Sequence, residues 1–496
     1  MRFAVFSNGH QQILHPEGLP NQGIASLSPY TSFAKLASYD QPTLDYKFQF
    51  SHSLRRILQD KLLLLSELPF SLEFIYKHYL HGYIGFKKSI KRQHDEYICE
   101  RCGNDSSHLF ASHYCARCHD SCTYCRKCIM MGKVSECEPL VYWCGPLAPF
   151  EWASYKQDAL QWDGQLSPEQ AYAAKSVTQA IAERKRLLIW AVCGSGKTEL
   201  IFPGISYAFE QGLRVCIATP RVDVVLELEP RLKAAFPTVS IASLYGGSKQ
   251  RKDACQLTIS TTHQLLRYQE AFDVLIIDEV DAFPYSFDPM LAYAVERAKK
   301  TTAATIMLTA TPNDELKREV KIGRLSVVKI PIRYHRHPLP VPRFVWCGNW
   351  EKRLKKRKLP EVVLRWCEQR FERNRQFLFF VPSIDVAERV KAILKVPAVY
   401  ADDPERKTKV EQFRRGEIKA LVTTTILERG VTIPSIDVAV LGSERDIFTE
   451  SALVQIAGRV GRSAQDPYGD VCFFHFGRSK AMVQAKRHIC EMNEES

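Results

Sequence analysis

"RLLIWAVCGSGKTEL", Arg186 to Leu200, runs from a short apolar segment through a glycine-rich turn into a segment that suits a helix. Strand, turn and helix in that order are the setting in which a phosphate-binding loop folds. Gly194 and Gly196 let backbone N–H groups turn inward onto phosphate oxygens, and the helix N-terminus adds partial positive charge. Ala191, Val192, Cys193, Gly194, Ser195, Gly196, Lys197 and Thr198 make up the expected cradle for ATP. Lys197 is placed to reach the β and γ phosphates, and Thr198 to set its hydroxyl on Mg²⁺. Ala191 stands where the general pattern has glycine.

Around this loop, short apolar runs recur: "LRVCIAT", "LTIST", "FDVLIID" and "ATIMLTA". Helix-compatible stretches separate them, which predicts a buried parallel sheet with helices on both faces. A basic stretch ending "EKRLKKRKLP" at Pro360 follows. A second set then begins: "QFLFFVP", "AVYA", "ALVTTT", "VAVLG" and "VCFFHF". Two α/β domains in tandem account for both sets. Residues 1–50 carry little periodicity and read as loop-rich or partly ordered, whereas the apolar spacing from "SHSLRRILQDKLLLL" to "FIYKHYLHGYI" suits helices.

Lys and Arg exceed Asp and Glu by 68 − 55 = 13 over 496 residues. That excess favours a polyanionic partner, nucleic acid or an anionic membrane surface. "MRFAVFSNGHQQ" lacks the apolar core and cleavage site of a signal peptide. The strongest apolar run, "KLLLLSELPF", falls short of the ~20 residues a bilayer needs, so no integral membrane segment is expected. These features predict a cytoplasmic protein with reduced cysteines. The basic run "KKSIKRQH" from Lys87 reads more readily as a solvated face than as a DNA contact.

"FDVLIIDEVDAF" ends an apolar strand in carboxylates. Asp278 is placed to hold Mg²⁺ through water and Glu279 to orient and activate the attacking water. Arg459 and Arg462, in "QIAGRVGRS", are three apart and would share a face of a helix, from which they can serve as arginine fingers for the γ-phosphate.

Cys99 to Cys137 holds eight of the sixteen cysteines. In a reduced compartment the Cys-x-x-Cys steps Cys99/Cys102, Cys115/Cys118 and Cys125/Cys128 point to zinc, held by four thiolates in a tetrahedron. Cys122, Cys137 and Cys144 are left over. Spacing alone allows Cys99, Cys102, Cys115 and Cys118 as one ribbon.

Taken together the motifs resemble superfamily 2 helicases. "LSPEQ" resembles the adenine-reading segment, with Gln170 as the base contact. "AVCGSGKT" and "DEVD" match motifs I and II, "ATPR" motif Ia, "STTHQLL" the following strand-contact motif, and "TAT" motif III. "FLFFVPS", "TTTILERGVTIP" and "QIAGRVGR" resemble motifs IV, V and VI. Thr432 departs from the family pattern, where many relatives carry Asp. The resemblance implies two tandem RecA-like domains, at 150–335 and 345–496. It also implies a nucleic-acid backbone held by residues such as Arg221, Thr262, His263 and Thr424.

A cysteine module at 97–145, "CRKC" before "IMM", and "DEVDAFPY" further resemble the ComFA family of late-competence DNA-uptake ATPases, which is similar to primosomal helicases. This implies a partly helical N-terminal region at 1–96 and a principal zinc site of Cys99, Cys102, Cys125 and Cys128. Cys115, Cys118 and Cys122, with Cys137 or a histidine, would form a second site or else remain free thiols. The resemblance implies an ATP-dependent single-stranded DNA translocase at the inner face of the cell membrane. Its implied companions are the competence membrane channel, a phosphoribosyltransferase-like protein of the same operon and a single-strand recombination mediator. A duplex-unwinding helicase of replication restart or repair, an RNA helicase, and a zinc-dependent DNA-binding docking protein with a scaffold ATPase core are the alternatives.

Overall fold

The computed structural model describes residues 1–7, 11–20, 25–93, 96–147, 159–248, 255–428 and 433–496. The chain divides into two compact units. One comprises Met1–Gln161, Ser206–Ile276 and Phe283–Ala304; the other comprises Trp162–Ile205, Ile277–Ala282 and Thr305–Ser496.

In the first unit the N-terminal region has an apolar core of its own. Phe3–Ser7 pairs antiparallel with Gln12–Pro16, and Phe3, Val5 and Leu14 pack with Phe33, Leu54, Tyr79 and Ile84. The expectation of loop-rich residues 1–50 misses this hairpin but holds beyond it, where the described residues up to 50 carry only the short strand Ala25–Ser26 and the 3-10 turn Phe33–Lys35. Both faces of the hairpin strands are buried, so the alternation that marks a half-exposed strand never appears in the sequence. Helices His52–Leu58 and Leu72–Leu80 form as the spacing predicts, each capped by a serine, Ser51 and Ser71, that accepts from the backbone three residues on. The "LLLL" between them instead makes a short strand, Leu63–Leu64, and a turn of 3-10 helix, Leu65–Glu67.

The strand before the cysteine module, Ile84–Lys87, pairs antiparallel with the strand after it, Leu140–Trp143. The module is thus an excursion from a hairpin of the N-terminal region and is anchored at both ends. The basic run before the cysteines is partly neutralised, because Lys87 and Lys91 both bind Glu100, at 2.6 and 3.0 Å.

Two parallel sheets follow. The first has seven strands in the order Ile241–Leu244, Leu257–Thr261, Val215–Thr219, Phe272–Ile277, Lys299–Thr309, Arg186–Ala191, Ser326–Ile330. The division between the units falls within Lys299–Thr309. The second sheet has six strands in the order Arg343–Trp346, Val471–His475, Ile436–Leu441, Gln376–Phe380, Ala420–Thr423, Ala398–Val399, with parallel registers throughout. Its inner strands are buried on both faces, as the continuous apolar runs require, whereas the edge strand Arg343–Trp346 is half-exposed. Two tandem RecA-like domains are the architecture. Among the described residues no helix is long and apolar enough to cross a membrane.

Candidate nucleotide site and metal centres

The second compact unit holds every residue expected at the nucleotide. The strand Arg186–Ala191 delivers the chain to a tight loop in which Gly194 and Gly196 have φ of 82° and 75°. That left-handed region suits glycine. A Cβ on Gly196 would also lie 2.3 Å from Gln170 Nε2. Lys197 opens the short helix Lys197–Leu200, and its Nζ donates to Ala191 O at 3.1 Å, which holds the ammonium across the loop. Thr198 follows on the same turn.

Gln170 is positioned by helix capping. The helix Pro168–Ala182 begins with a capping box: Ser167 Oγ accepts from Gln170 N, and Gln170 Oε1 accepts from Ser167 N at 2.8 Å. The other end of the same amide, Nε2, donates to Ser195 O at 2.7 Å. One side chain therefore ties the helix start to the phosphate loop.

Asp278 follows the strand Phe272–Ile277, and its Oδ1 accepts from Glu279 N at 2.9 Å. Glu279 has φ 56°, in the left-handed region that few residues other than glycine adopt. The third carboxylate was given no role by the sequence. Asp281 accepts from Thr309 Oγ1 and Thr311 Oγ1, both at 2.6 Å, and from Ser451 Oγ at 2.5 Å. Motif III and the helix Glu450–Ala457 thus share one carboxylate.

The arginines need a correction. The helix ends at Ala457, and Gly461 has φ 67°, so Arg459 and Arg462 do not share a helical face. They lie in a turn beyond the helix. Arg459 is 2% exposed and donates from Nε to Glu428 O at 2.9 Å; Arg462 Nε donates to Gly458 O at 3.0 Å. The turn nonetheless sits against the phosphate loop. Cys193 Sγ donates to Gln455 Oε1 at 2.9 Å, and a Cβ on Gly458 would lie 2.4 Å from Cys193 Cβ.

Arg333 was also missed. It is 1% exposed and donates to the carbonyls of Val460 at 2.9 Å, Gly461 at 2.7 Å and Pro467 at 3.1 Å. Burial pushes its pKa down to about 10, which still leaves it charged at neutral pH. Its neighbour Tyr334 donates from N to Gly194 O at 3.0 Å. The segment after the first sheet thereby touches both the phosphate loop and the arginine turn. No motif marks Arg333, because its partners are backbone carbonyls, of His337 and Pro338 nearby and of Val460, Gly461 and Pro467 in a distant segment.

The first unit holds the cysteine clusters. Two groups of four buried thiols form, Cys99/Cys102/Cys125/Cys128 and Cys115/Cys118/Cys122/Cys137, each with its sulfur atoms within 4.8 Å of one another. The separations Cys99–Cys128, Cys102–Cys125 and Cys115–Cys137 are 3.8, 3.7 and 3.8 Å. A disulfide needs about 2.05 Å. Four sulfurs around zinc, each about 2.3 Å from the ion, stand about 3.8 Å apart, so both groups fit that ion.

The single ribbon of Cys99, Cys102, Cys115 and Cys118 is excluded. In the hairpin of Phe110–Cys115 with Asp120–Cys125, Cys125 pairs with Phe110 while Cys115 pairs with Asp120 at the opposite end. Five residues of strand, about 17 Å, separate those ends. Cys122 and Cys125 are three apart on a strand and so face opposite ways, which sends them to different clusters. Crowding divides the protons unevenly: the hydrogen bond from Cys122 draws Cys137 down to about 4, whereas burial pushes Cys118 up to about 11.

Polar contacts dock the module on the first sheet's flank. Arg267 Nε and the fully buried Arg101 both bind Glu67 Oε1, at 2.9 and 3.0 Å. Arg297 Nη1 donates to Glu100 O at 2.8 Å, and Lys127 pairs with Asp288 at 2.9 Å. Gly103, in the first cysteine knuckle, lies under Tyr293: a Cβ there would meet the ring at 2.7 Å.

Of the expected strand contacts, Arg221 binds Asp223 at 3.3 Å, His263 and Thr424 are half-buried, and Thr262 is fully buried. Thr262 in this conformation offers no side-chain surface. Thr432 lies outside the described residues.

The family described as Competence protein ComFA N-terminal domain matches residues 46–142. The res subunit of type III restriction enzymes matches 163–314, and the helicase conserved C-terminal domain matches 355–464. Competence protein ComFA of Bacillus subtilis is 51% identical over 450 residues, covering 90% of this chain and 96% of the relative. The chain belongs to the ComFA family. Competence protein ComFA of Streptococcus pneumoniae is 40% identical over 380 residues, 75% of this chain and 86% of the relative. A solved structure of Saccharomyces cerevisiae Dbp5 bound to RNA and ADP BeF3 aligns with 67% of the chain and 92% of its own at 14% identity, with a TM-score of 0.48. The superfamily 2 helicase domains of this ComFA-family chain imply ATP and Mg²⁺ as cofactors, and the buried cysteine clusters are able to bind zinc.

Proposed function

We infer that this protein is an ATP-driven motor that moves along single-stranded DNA and draws transforming DNA inward during competence. The observation that carries the reading is the meeting of the phosphate loop with the helix Glu450–Ala457 and the arginine turn after it, Cys193 against Gln455 and Gly458, backed by Asp281 between Thr311 and Ser451. A nucleotide held at Lys197 and Thr198 would press on both, so binding and hydrolysis would be felt by the second sheet's domain. Asp278 would hold Mg²⁺, which supplies charge neutralisation at the phosphates. Glu279 would orient and deprotonate the attacking water, and Arg459 and Arg462 would stabilise charge on the γ-phosphate.

ATP-site contacts this extensive count against a scaffold core. The names of the relatives support the competence role. By that resemblance the motor works at the inner face of the cell membrane. It would act beside the competence channel, with the phosphoribosyltransferase-like protein and the recombination mediator as partners. Zinc at both cysteine clusters would hold the module that docks beside the strand-contact segment.

The test is movement itself. A streptavidin block on one end of a single strand should be displaced with ATP, while a duplex of moderate length should stay paired. Efficient duplex separation would favour the restart-helicase alternative, and displacement of neither would remove the motor reading.

A further inference from the structure

Two phenylalanines beside motif II are exposed where burial would be expected. Phe283 is 74% and Phe287 is 69% exposed, with ring centroids 6.2 Å apart and planes at 46°. Single exposed apolar residues are ordinary, but a contiguous patch marks an interaction site. An ion pair links this segment to the cysteine module, which exposes apolar residues of its own. Asp288, next to Phe287, pairs with Lys127 at 2.9 Å, and two residues beyond Lys127 begin Ile129 and Met130, which are 52% and 91% exposed. All of these residues belong to one compact unit.

The charge pattern selects the occupant. "RKCIMMGK", Arg126 to Lys133, carries three basic residues and no acid. His263, in the strand-contact segment, lies close enough to Asp288 to feel its charge. An apolar, aromatic surface beside a basic segment, with the seam acid Asp288 neutralised by Lys127 and the following helix packed on the strand-contact segment, fits unstacked bases on a polyanion. Such a surface fits a folded acidic protein less well, because it would leave the ring faces without planar partners.

We propose that Phe283 and Phe287, together with Ile129 and Met130 of the cysteine module, form a split base-stacking platform for single-stranded DNA. Half of the platform comes from the motor and half from the module. The inference rests on the reading that the chain binds single-stranded DNA, and it names where the bases go. Because stacking is blind to base identity, the platform would accept any sequence. The ion pair Lys127–Asp288 fixes the two halves side by side.

The experiment compares a 20-mer of oligo(dT) with an abasic strand of equal length on the zinc-loaded full chain. Both strands carry the same phosphates, so their affinity ratio isolates the bases. The wild type should prefer oligo(dT) roughly ten- to hundredfold. F283A/F287A should lose that preference and bind both strands with the wild type's abasic affinity, at an unchanged salt slope. M130A should narrow the preference in part. F287W should keep it, with fluorescence quenched by oligo(dT) but not by the abasic strand. The tryptophan arm decides alone if the double variant has lost its zinc. A double variant that keeps the wild-type ratio, or an unquenched tryptophan, overturns the platform; both are also the outcomes expected of a protein-docking patch. A wild type that binds both strands equally overturns the platform and leaves DNA binding intact. A wild type that binds neither strand overturns both.

Discussion

The second parallel sheet and the cysteine module solve the same problem with different materials. The sheet buries Phe377, Phe379, Val438, Val440 and Phe473 on strands with apolar residues on both faces. The module, some forty residues long, gathers eight thiols, and one of its buried clusters consists only of Cys115, Cys118, Cys122 and Cys137. An apolar core is cohesive without help. A core of thiols at 3.7–3.8 Å is cohesive only if an ion holds the sulfurs, because neutral thiols offer weak hydrogen bonds and thiolates repel.

The sharpest way to break this comparison is to remove the metal. Structural zinc contributes on the order of 10–16 kcal/mol in small domains. A strong chelator should therefore open residues 97–138 to protease while the second sheet stays protected, as read by peptide mapping. A module that remains resistant would show that it is held by something other than zinc. C122S should reduce zinc from two ions to one per chain, whereas C102S should leave the other one. Elemental analysis of the two variants checks the partition.

In the motor the largest single effect belongs to Lys197. K197A should abolish ATP turnover and leave zinc content unchanged, and turnover near wild type would remove the site assignment. A core truncation in the second sheet, F379A, should cost about 3–5 kcal/mol in denaturant midpoints while the module keeps its zinc. R333A should act more mildly. It removes the Arg333 donor from the carbonyls of Val460 and Gly461, of which Gly461 keeps His335, and kcat should fall several-fold with little change in KM.

The smallest effect concerns acid. The hydrogen bond from His488, at 3.4 Å, holds the Glu450 carboxyl below its usual range against the opposing effect of burial. A carboxylate with a lowered folded pKa contributes stability above its unfolded pKa and loses it as pH falls through the folded value. E450Q should therefore flatten the acid limb of the stability profile by up to about 1 kcal/mol, with no change at pH 8 relative to pH 7.

What the sequence made legible follows the same divide. The phosphate loop, Asp278 and both sheets were visible because their information is local: a glycine pattern, a carboxylate at a strand end, an apolar run. The cysteine partition was not readable from spacing, since it depends on the odd separation of Cys122 and Cys125 along a strand whose register only the fold supplies. Gly461 concealed the turn that parts Arg459 from Arg462, because a glycine after a helix is compatible with either outcome. Arg333 and Asp281 act across segments more than a hundred residues apart for several of their bonds, and nothing in their neighbourhoods announces it.

Dependence of ATP turnover on single-stranded DNA can be read from steady-state ATP hydrolysis. The purified, zinc-replete chain would be assayed alone and with single-stranded DNA, duplex DNA or single-stranded RNA, with K197A as control. Strong stimulation by single-stranded DNA is expected, with little by the others. Equal stimulation by RNA, or no response to any of the three, would contradict a motor driven by single-stranded DNA.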